Sequence, residues 1–436
     1  MTTQDLTDNH SRSPVPAAET VSGTAIAVVI IGVSITLPAF LVGTELMAAL
    51  GLVKGALAII LGGFLTACIG YLTMRVGTDT RLSTYNIILY CFGRAGSRLV
   101  NLILATTLFG WFGVTAALFG HALSRAADDA FGVLVPHPIL TVAGGALMVA
   151  TTIYGFRAIN RLSRVAVPLL AALLLYGVWR VLEGASLAEL SSVAGQPHEG
   201  LASVPAGISI VIGSFFVGVT IVPDLARFAR GSRDAVTGSF LSYGLGFPLV
   251  LLLAGLPVLV STEPDLITSM TSLGLGIPVL IVMVFATWTT NINNLYSASL
   301  SIARMMPRVR DWVITLVSGV IGTLLALAGI MEHFVEFLIL LGIIVPPIAG
   351  VYLADYFLLR QTRIDVDQSD PVPDYRWDAL AAWGLGCAVG FLERSTDWGV
   401  TGVTAIDTLL TGMVVLWIWN RLQPKAAARP STSSKA

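Results

Sequence analysis

The chain has 436 residues, of which 55% are hydrophobic and only 12% are charged, and its mean hydropathy is +0.82. Soluble proteins average about 25% charged residues, so the composition predicts an all-α integral membrane protein. A net charge of −1 without a basic stripe argues against a nucleic-acid partner. Three widely spaced cysteines predict neither a disulfide framework nor a metal-binding cluster.

About twelve hydrophobic segments are long enough to cross a bilayer. Their predicted limits are 24–48, 54–75, 97–123, 138–156, 164–182, 203–226, 236–260, 274–303, 312–330, 334–358, 376–392 and 400–420. Most of the 25 basic residues lie in the termini or in the loops that follow even-numbered spans. Because basic residues collect on the cytoplasmic side, both termini are expected there, as disordered tails at residues 1–22 and 422–436.

Two spans contain residues that interrupt a helix. Span 1 has Gly32, Ser34 and Thr36 before Pro38, and span 6 has glycine, serine and threonine in the stretch Gly213–Pro223. Because proline cannot donate a backbone hydrogen bond, each span is predicted to break in mid-membrane, with an ordinary proline kink as the alternative.

Interruptions five spans apart predict two repeats of inverted topology. Helices 1–5 form the first repeat at 23–182, and helices 6–10 form the second at 203–359. Such repeats bind ions and solutes where their opened helices meet. Helices 11 and 12 at 376–421 are then peripheral. Span 10 contains Gly342 and Pro346–Pro347, so it is also expected to bend and to move as a gate.

Span 8 contains the most polar stretch inside a hydrophobic segment. Helical spacing divides its residues into two neighbouring faces, one with Ala286, Thr289, Thr290 and Asn293 and the other with Thr287, Asn291 and Asn294. Buried hydroxyls and amides need partners, so these faces are predicted to face a binding site instead of lipid. The first can offer a carbonyl and two hydroxyls to a hard cation, and the second can offer amides to a small solute. A coupled transporter is therefore favoured, and no catalytic set supports an enzyme.

Several blocks, in order, resemble the nucleobase:cation symporter-1 family, in particular its bacterial cytosine-permease members. The matching blocks are Gly110–Val114, Gly213–Phe215, Asp224–Phe228, Trp288–Asn291, Pro346–Gly350 and Ala354–Tyr356. The resemblance implies a leucine-transporter-like fold in the bacterial inner membrane. It also implies alternating access, with uptake of a nucleobase or related N-heterocycle together with sodium or protons. A monomer is expected, with no cofactor other than a co-transported sodium ion.

The resemblance also implies the cation ligands. They are the carbonyls of Gly32, Ile35 and Ala286 and the hydroxyls of Thr289 and Thr290. In the alternative interpretation, the two threonines bond back to carbonyls of their own helix. The absence of Lys or Arg from the middle of span 5 favours sodium over a fixed internal charge.

For the substrate, the resemblance implies a flat ring held between Trp111 and Phe215, with its edge read by Asn291. The full predicted set is Trp111, Phe215, Asn291, Asn294, Thr115, Ser34 and Gly213. Asn291 could instead join two helices.

Two departures from the cytosine-permease pattern affect the expected substrate. Leu108 stands where that pattern has Gln, and Val217 stands where it has Ser. Both changes remove hydrogen-bonding groups, so a less polar or differently substituted heterocycle than cytosine is expected. An amino-acid transporter of the same fold and a proton-coupled nucleobase permease are the alternative functions.

Overall fold

The structure is a computed structural model that describes residues 15–16, 19–154, 156–198, 200–260, 276–306, 308–359, 372–396 and 398–422. These residues are helical and contain no β-strand. The helices are α1 (Gly23–Ser34), α2 (Leu37–Thr80), α3 (Thr84–Phe92), α4 (Arg94–Phe131), α5 (His137–Tyr154), α6 (Phe156–Gly184), α7 (Leu187–Ser192), α8 (Val204–Ile221), α9 (Pro223–Ala226), α10 (Ser232–Ser239), α11 (Phe247–Gly255), α12 (Gly276–Met305), α13 (Asp311–Leu327), α14 (Phe334–Ile344), α15 (Pro346–Ala354), α16 (Trp377–Thr396) and α17 (Thr404–Leu422). The predicted tails lie largely outside the described residues.

Each predicted span is largely helical where the structure describes it, and spans 1 and 2 share helix α2. In the described part of the chain, five helical segments are long and apolar enough to cross a membrane: Leu37–Thr80, Arg94–Asp128, Val204–Ile221, Ser232–Leu259 and Phe334–Leu359. We call the side of the bilayer that carries the arginine-rich loops after even-numbered spans the basic side. The chain is an integral membrane protein.

Spans 1 and 2 are joined by a single glycine instead of a loop. Gly51 has φ 72°, inside the continuous stretch from Leu37 to Thr80. A Cβ there would lie 2.8 Å from the carbonyl oxygen of Val193. Glycine therefore suits both the left-handed backbone and the close approach of the neighbouring chain.

The predicted interruption of span 1 is confirmed. Between α1 and α2, Ile35 has ψ 77° and Thr36 has φ −142°, so both leave the helical region. Pro38 supplies no N–H, and the N–H of Thr36 donates to the carbonyl of Ser34 at 3.0 Å. Among the described residues, no N–H donates to the carbonyl of Gly32 or of Ile35. These two oxygens are available to another partner.

The prediction of a mid-membrane break in span 6 is wrong in position. Helix α8 is continuous from Val204 to Ile221, and the interruption comes at Val222, near the basic side. Val222 keeps helical angles (φ −60°, ψ −23°). Glycine and serine alone do not open a helix, and Ser214 donates its hydroxyl to its own helix at the carbonyl of Val211, at 2.8 Å. In this stretch only Pro223 removes a backbone donor, so the series of intrahelical hydrogen bonds is interrupted next to it.

Nine of the helices form two packed bodies. In the first body, here called the bundle, α1, α2, α8, α10 and α11 pack against one another. In the second, here called the scaffold, α4, α5, α12 and α13 pack together. The scaffold has its own apolar core, which includes Phe112, Ala116, Met148, Ile292, Leu295 and Ala326. The broken span 1 thus belongs to one body and the polar span 8 to the other.

Candidate functional site

The predicted cation ligands are divided between the two bodies. On the bundle, Gly32 faces open space, with no heavy atom within 4 Å of a Cβ added to it. On the scaffold, Thr290 is half-buried, and its hydroxyl makes no hydrogen bond among the described residues. The side chains of Ala286 and Thr289 lie outside the described part of α12. The oxygen atoms available as cation ligands belong to main-chain carbonyls and a hydroxyl. They are hard ligands, which suit a small cation.

The two predicted stacking rings are also held by different bodies. Trp111 of α4 packs edge-on against Phe334 at 6.1 Å and Phe337 at 5.4 Å between ring centroids. Phe215 of α8 packs against two other aromatic rings, at 5.5 Å and 4.6 Å. Both rings are half-buried, and none of these contacts joins Trp111 to Phe215. Each ring is therefore fixed by partners of its own.

Asn291 is fully buried, and only its amide nitrogen has partners. Its Nδ2 donates to the carbonyl of Phe112 at 3.1 Å and approaches the sulfur of Met148 at 3.2 Å. Its Oδ1 is buried and has no hydrogen-bond partner in the part of the chain that the structure describes. A buried acceptor without a partner costs about 1–3 kcal/mol. Asn291 thus joins α12 to α4 and α5 through one end of its amide and presents an unpaired acceptor at the other.

Two further predicted residues use their hydroxyls within the protein. Thr115 donates its hydroxyl to the carbonyl of Trp111 at 2.8 Å, and Ser34 donates to Ile30 at 2.8 Å. Both are back-bonds within one helix, so these hydroxyls are not free donors. Asn294 is half-buried on α12.

At Gly213, span 6 packs directly against span 10. A Cβ there would lie 2.6 Å from the carbonyl oxygen of Leu338 and 3.1 Å from the backbone nitrogen of Gly342. The absence of a side chain lets α8 and α14 touch backbone to backbone. Gly213 therefore allows α8 to pack closely against α14 next to Phe215.

The aromatic partners of Trp111 and Phe215 were not predicted from the sequence. They are Phe334 and Phe337 on α14, and Tyr243 and Phe247 on and next to a π-helical turn. Phenylalanine is common in membrane helices, so these residues carry no signal of their own. The glycine and proline residues of span 10 are the one hint that this span approaches the site.

A family model described as a permease for cytosine/purines, uracil, thiamine and allantoin matches residues 14–418. The chain belongs to this family. It is 28% identical over 435 residues to the cytosine permease of Escherichia coli (strain K12), covering 98% of each chain. It is also 29% identical over 349 residues to the hydantoin permease of Microbacterium maritypicum, covering 72% of this chain and 69% of that protein.

Solved structures agree on the fold. The inward-facing conformation of Mhp1 has a TM-score of 0.83 at 21% identity and covers 95% of this chain and 93% of its own. The closed conformation of Mhp1 with bromovinylhydantoin bound has a TM-score of 0.76 at 22% identity, covering 95% of each chain. These similarities confirm the leucine-transporter-like fold. The chain is thus a membrane transporter of the nucleobase:cation symporter-1 family and is not an enzyme.

Proposed function

We propose that this transporter imports a nucleobase or a related small N-heterocycle together with sodium, by alternating access between its two bodies. The observation that carries the proposal is the division of each predicted site between the bundle and the scaffold. A ligand that contacts both bodies can couple its binding to their relative movement, because it binds one arrangement more tightly than another.

The cation part of the proposal rests on unused oxygen atoms. The carbonyls of Gly32 and Ile35 receive no backbone N–H at the break in span 1, and the hydroxyl of Thr290 has no partner among the described residues. Together with Ala286 and Thr289, these groups would give five oxygen ligands. All are neutral, so the site suits a monovalent cation better than a divalent one.

The substrate part rests on the two rings and one amide. A flat heterocycle between Trp111 and Phe215 gains roughly 0.5–1.5 kcal/mol per aromatic contact beyond the burial of its surface. Cytosine, hydantoin, allantoin and uracil, named for related permeases, all carry ring N–H groups. Such an N–H can donate to the unpaired Oδ1 of Asn291. Half-buried Leu108 and buried Val217 offer no hydrogen bond, so we expect a substrate with fewer polar edges than cytosine.

The inverted repeats at 23–182 and 203–359 would supply the symmetry that alternating access needs. The arginine distribution supports a cytoplasmic location for the basic side and for both termini. We propose that the working unit is a monomer, since both parts of the site lie within one chain.

A thermal-shift screen of the detergent-purified protein tests this function. Purines, pyrimidines, hydantoins, allantoin and amino acids are each added with sodium or potassium as the only cation. Stabilisation by one heterocycle, larger in sodium, is the expected result because a ligand of the folded state raises Tm. Stabilisation by an amino acid alone would overturn the substrate class. Equal shifts in both cations would overturn the sodium assignment.

A further inference from the structure

The break in span 10 leaves three consecutive carbonyls without their usual helical donors. Pro346 and Pro347 have no N–H for the carbonyls of Gly342 and Ile343. The carbonyl of Ile344 also lacks its usual donor, because the N–H of Ile348 bonds instead to the carbonyl of Val345 at 3.1 Å. Gly342 and Ile343 are buried, where water cannot replace a lost donor.

Side chains of the two peripheral helices replace two of these donors. The hydroxyl of Thr408 on α17 lies 3.2 Å from the carbonyl oxygen of Gly342 and also 3.2 Å from that of Ala405 on its own helix. The indole Nε1 of Trp383 on α16 donates to the carbonyl of Ile344 at 3.1 Å. Thr408 is fully buried, so its hydroxyl bonds within the protein. The last turn before the break is thus held from two sides.

Small residues let both peripheral helices reach the break. A Cβ added to Gly412 of α17 would lie 3.0 Å from the carbonyl oxygen of Pro347. A Cβ added to Gly386 of α16 would lie 2.6 Å from the Cβ of Pro347 and 2.9 Å from the carbonyl oxygen of Thr408. A side chain at either position would push its helix away from span 10.

The two halves of span 10 are held to different extents. Every residue of α15, after the break, is buried. Its far end continues to Asp355, which pairs with Arg376 at 2.6 Å. The half before the break, α14, includes exposed Leu340. Its Phe334 and Phe337 pack against Trp111 of the candidate substrate site. The half that approaches the site is therefore the less constrained one.

We propose that Thr408 and Trp383 are positioning residues that fix the pivot of span 10 at Val345, so that α14 swings while α15 stays in place. The helices that lie outside both proposed repeats thereby set the hinge of a gate. The gating role rests on the proposed transport function. The brace itself can be tested without transport.

The first test uses hydrogen–deuterium exchange of the full-length protein in nanodiscs without substrate. Thr408→Val and Trp383→Phe each remove one donor and keep most of the side-chain volume. Amides of α14 should exchange roughly threefold to tenfold faster in both variants, because a net hydrogen bond is lost there, while α15 and α1 keep wild-type rates. Thr411→Val is the matched control, since that hydroxyl donates at 2.7 Å to Asp407 of its own helix. Its exchange pattern should match wild type.

A second readout separates positioning from substrate contact. In proteoliposomes, the maximal uptake rate of Thr408→Val should fall by roughly threefold or more, with substrate Kd within about twofold of wild type. Thr408→Ser keeps the hydroxyl and should restore the rate. Unchanged α14 exchange in both variants, or faster exchange spread evenly over the protein, would overturn the brace. Faster α14 exchange in a chain whose wild type takes up no heterocycle would uphold the brace and refute the proposed function.

Discussion

Asn291 provides the sharpest test of the substrate site, because one end of its amide stabilises the ligand-free protein and the other end destabilises it. Replacing it with alanine removes the Nδ2 bond to Phe112, which contributes about 0.5–1.5 kcal/mol. The small cavity left behind costs about 1 kcal/mol more. The same change removes the buried, unpaired Oδ1, which relieves about 1–3 kcal/mol. These contributions nearly cancel, so the ligand-free protein should keep a Tm close to that of wild type.

Substrate binding should respond differently. Without Oδ1, the ring N–H that it accepts is buried without a partner, at a cost of about 1–3 kcal/mol. Substrate Kd should therefore weaken roughly 5-fold to 150-fold in Asn291→Ala. Met148→Leu serves as the matched control, because it removes the sulfur 3.2 Å from Nδ2 and leaves Oδ1 in place. Its Kd should stay at the wild-type value.

The assay measures Tm with and without saturating substrate, followed by Kd from titration calorimetry. The predicted pattern for Asn291→Ala is a normal ligand-free Tm with little substrate-induced shift. A ligand-free Tm several degrees lower, combined with a Kd within twofold of wild type, would refute the reasoning. Asn291 would then serve only to join α12 to α4.

Three other substitutions test separate parts of the structure. Gly213→Val should lower both Tm and uptake, because its Cβ meets the α14 backbone at 2.6 Å, whereas Gly384→Ala, with no atom within 4 Å, should leave both unchanged. Thr290→Ala should raise the sodium concentration that gives half-maximal uptake, and Thr151→Ala, whose hydroxyl bonds to its own helix at 2.6 Å, should not. Arg376→Met removes the cation that pairs with the buried carboxylate of Asp355, so thermal unfolding should show a loss of about 3–5 kcal/mol; an unchanged unfolding transition would contradict this.

Most of the fold could be predicted because it depends on strong local signals. Runs of apolar residues place the spans, and Pro38 and Pro346 remove backbone donors where the structure shows interruptions in spans 1 and 10. In span 6 the helix is interrupted only beside Pro223, because the glycine and serine before it are compatible with a continuous membrane helix. The boundary between spans 1 and 2 was expected at 49–53, but the sequence does not show that one glycine with φ 72° forms the whole turn.

The site was less predictable because its details depend on contacts between distant helices. The family resemblance pointed to Trp111, Phe215 and Asn291, but it did not indicate which atoms of Asn291 already have partners. The role of Thr408 and Trp383 has no sequence signal, since the carbonyls they serve belong to another helix. Such pairings depend on the packing of helices that are distant in sequence.

The central claim, sodium-coupled import, is tested most directly by uptake into proteoliposomes loaded with potassium and diluted into sodium. The heterocycle identified by thermal shift is supplied outside at a known concentration. The account predicts accumulation above the external concentration when sodium is higher outside, and only equilibration when sodium is equal on both sides. Accumulation that follows an imposed proton gradient and ignores sodium would contradict the account and would remove the cation site assigned to Gly32, Ile35 and Thr290.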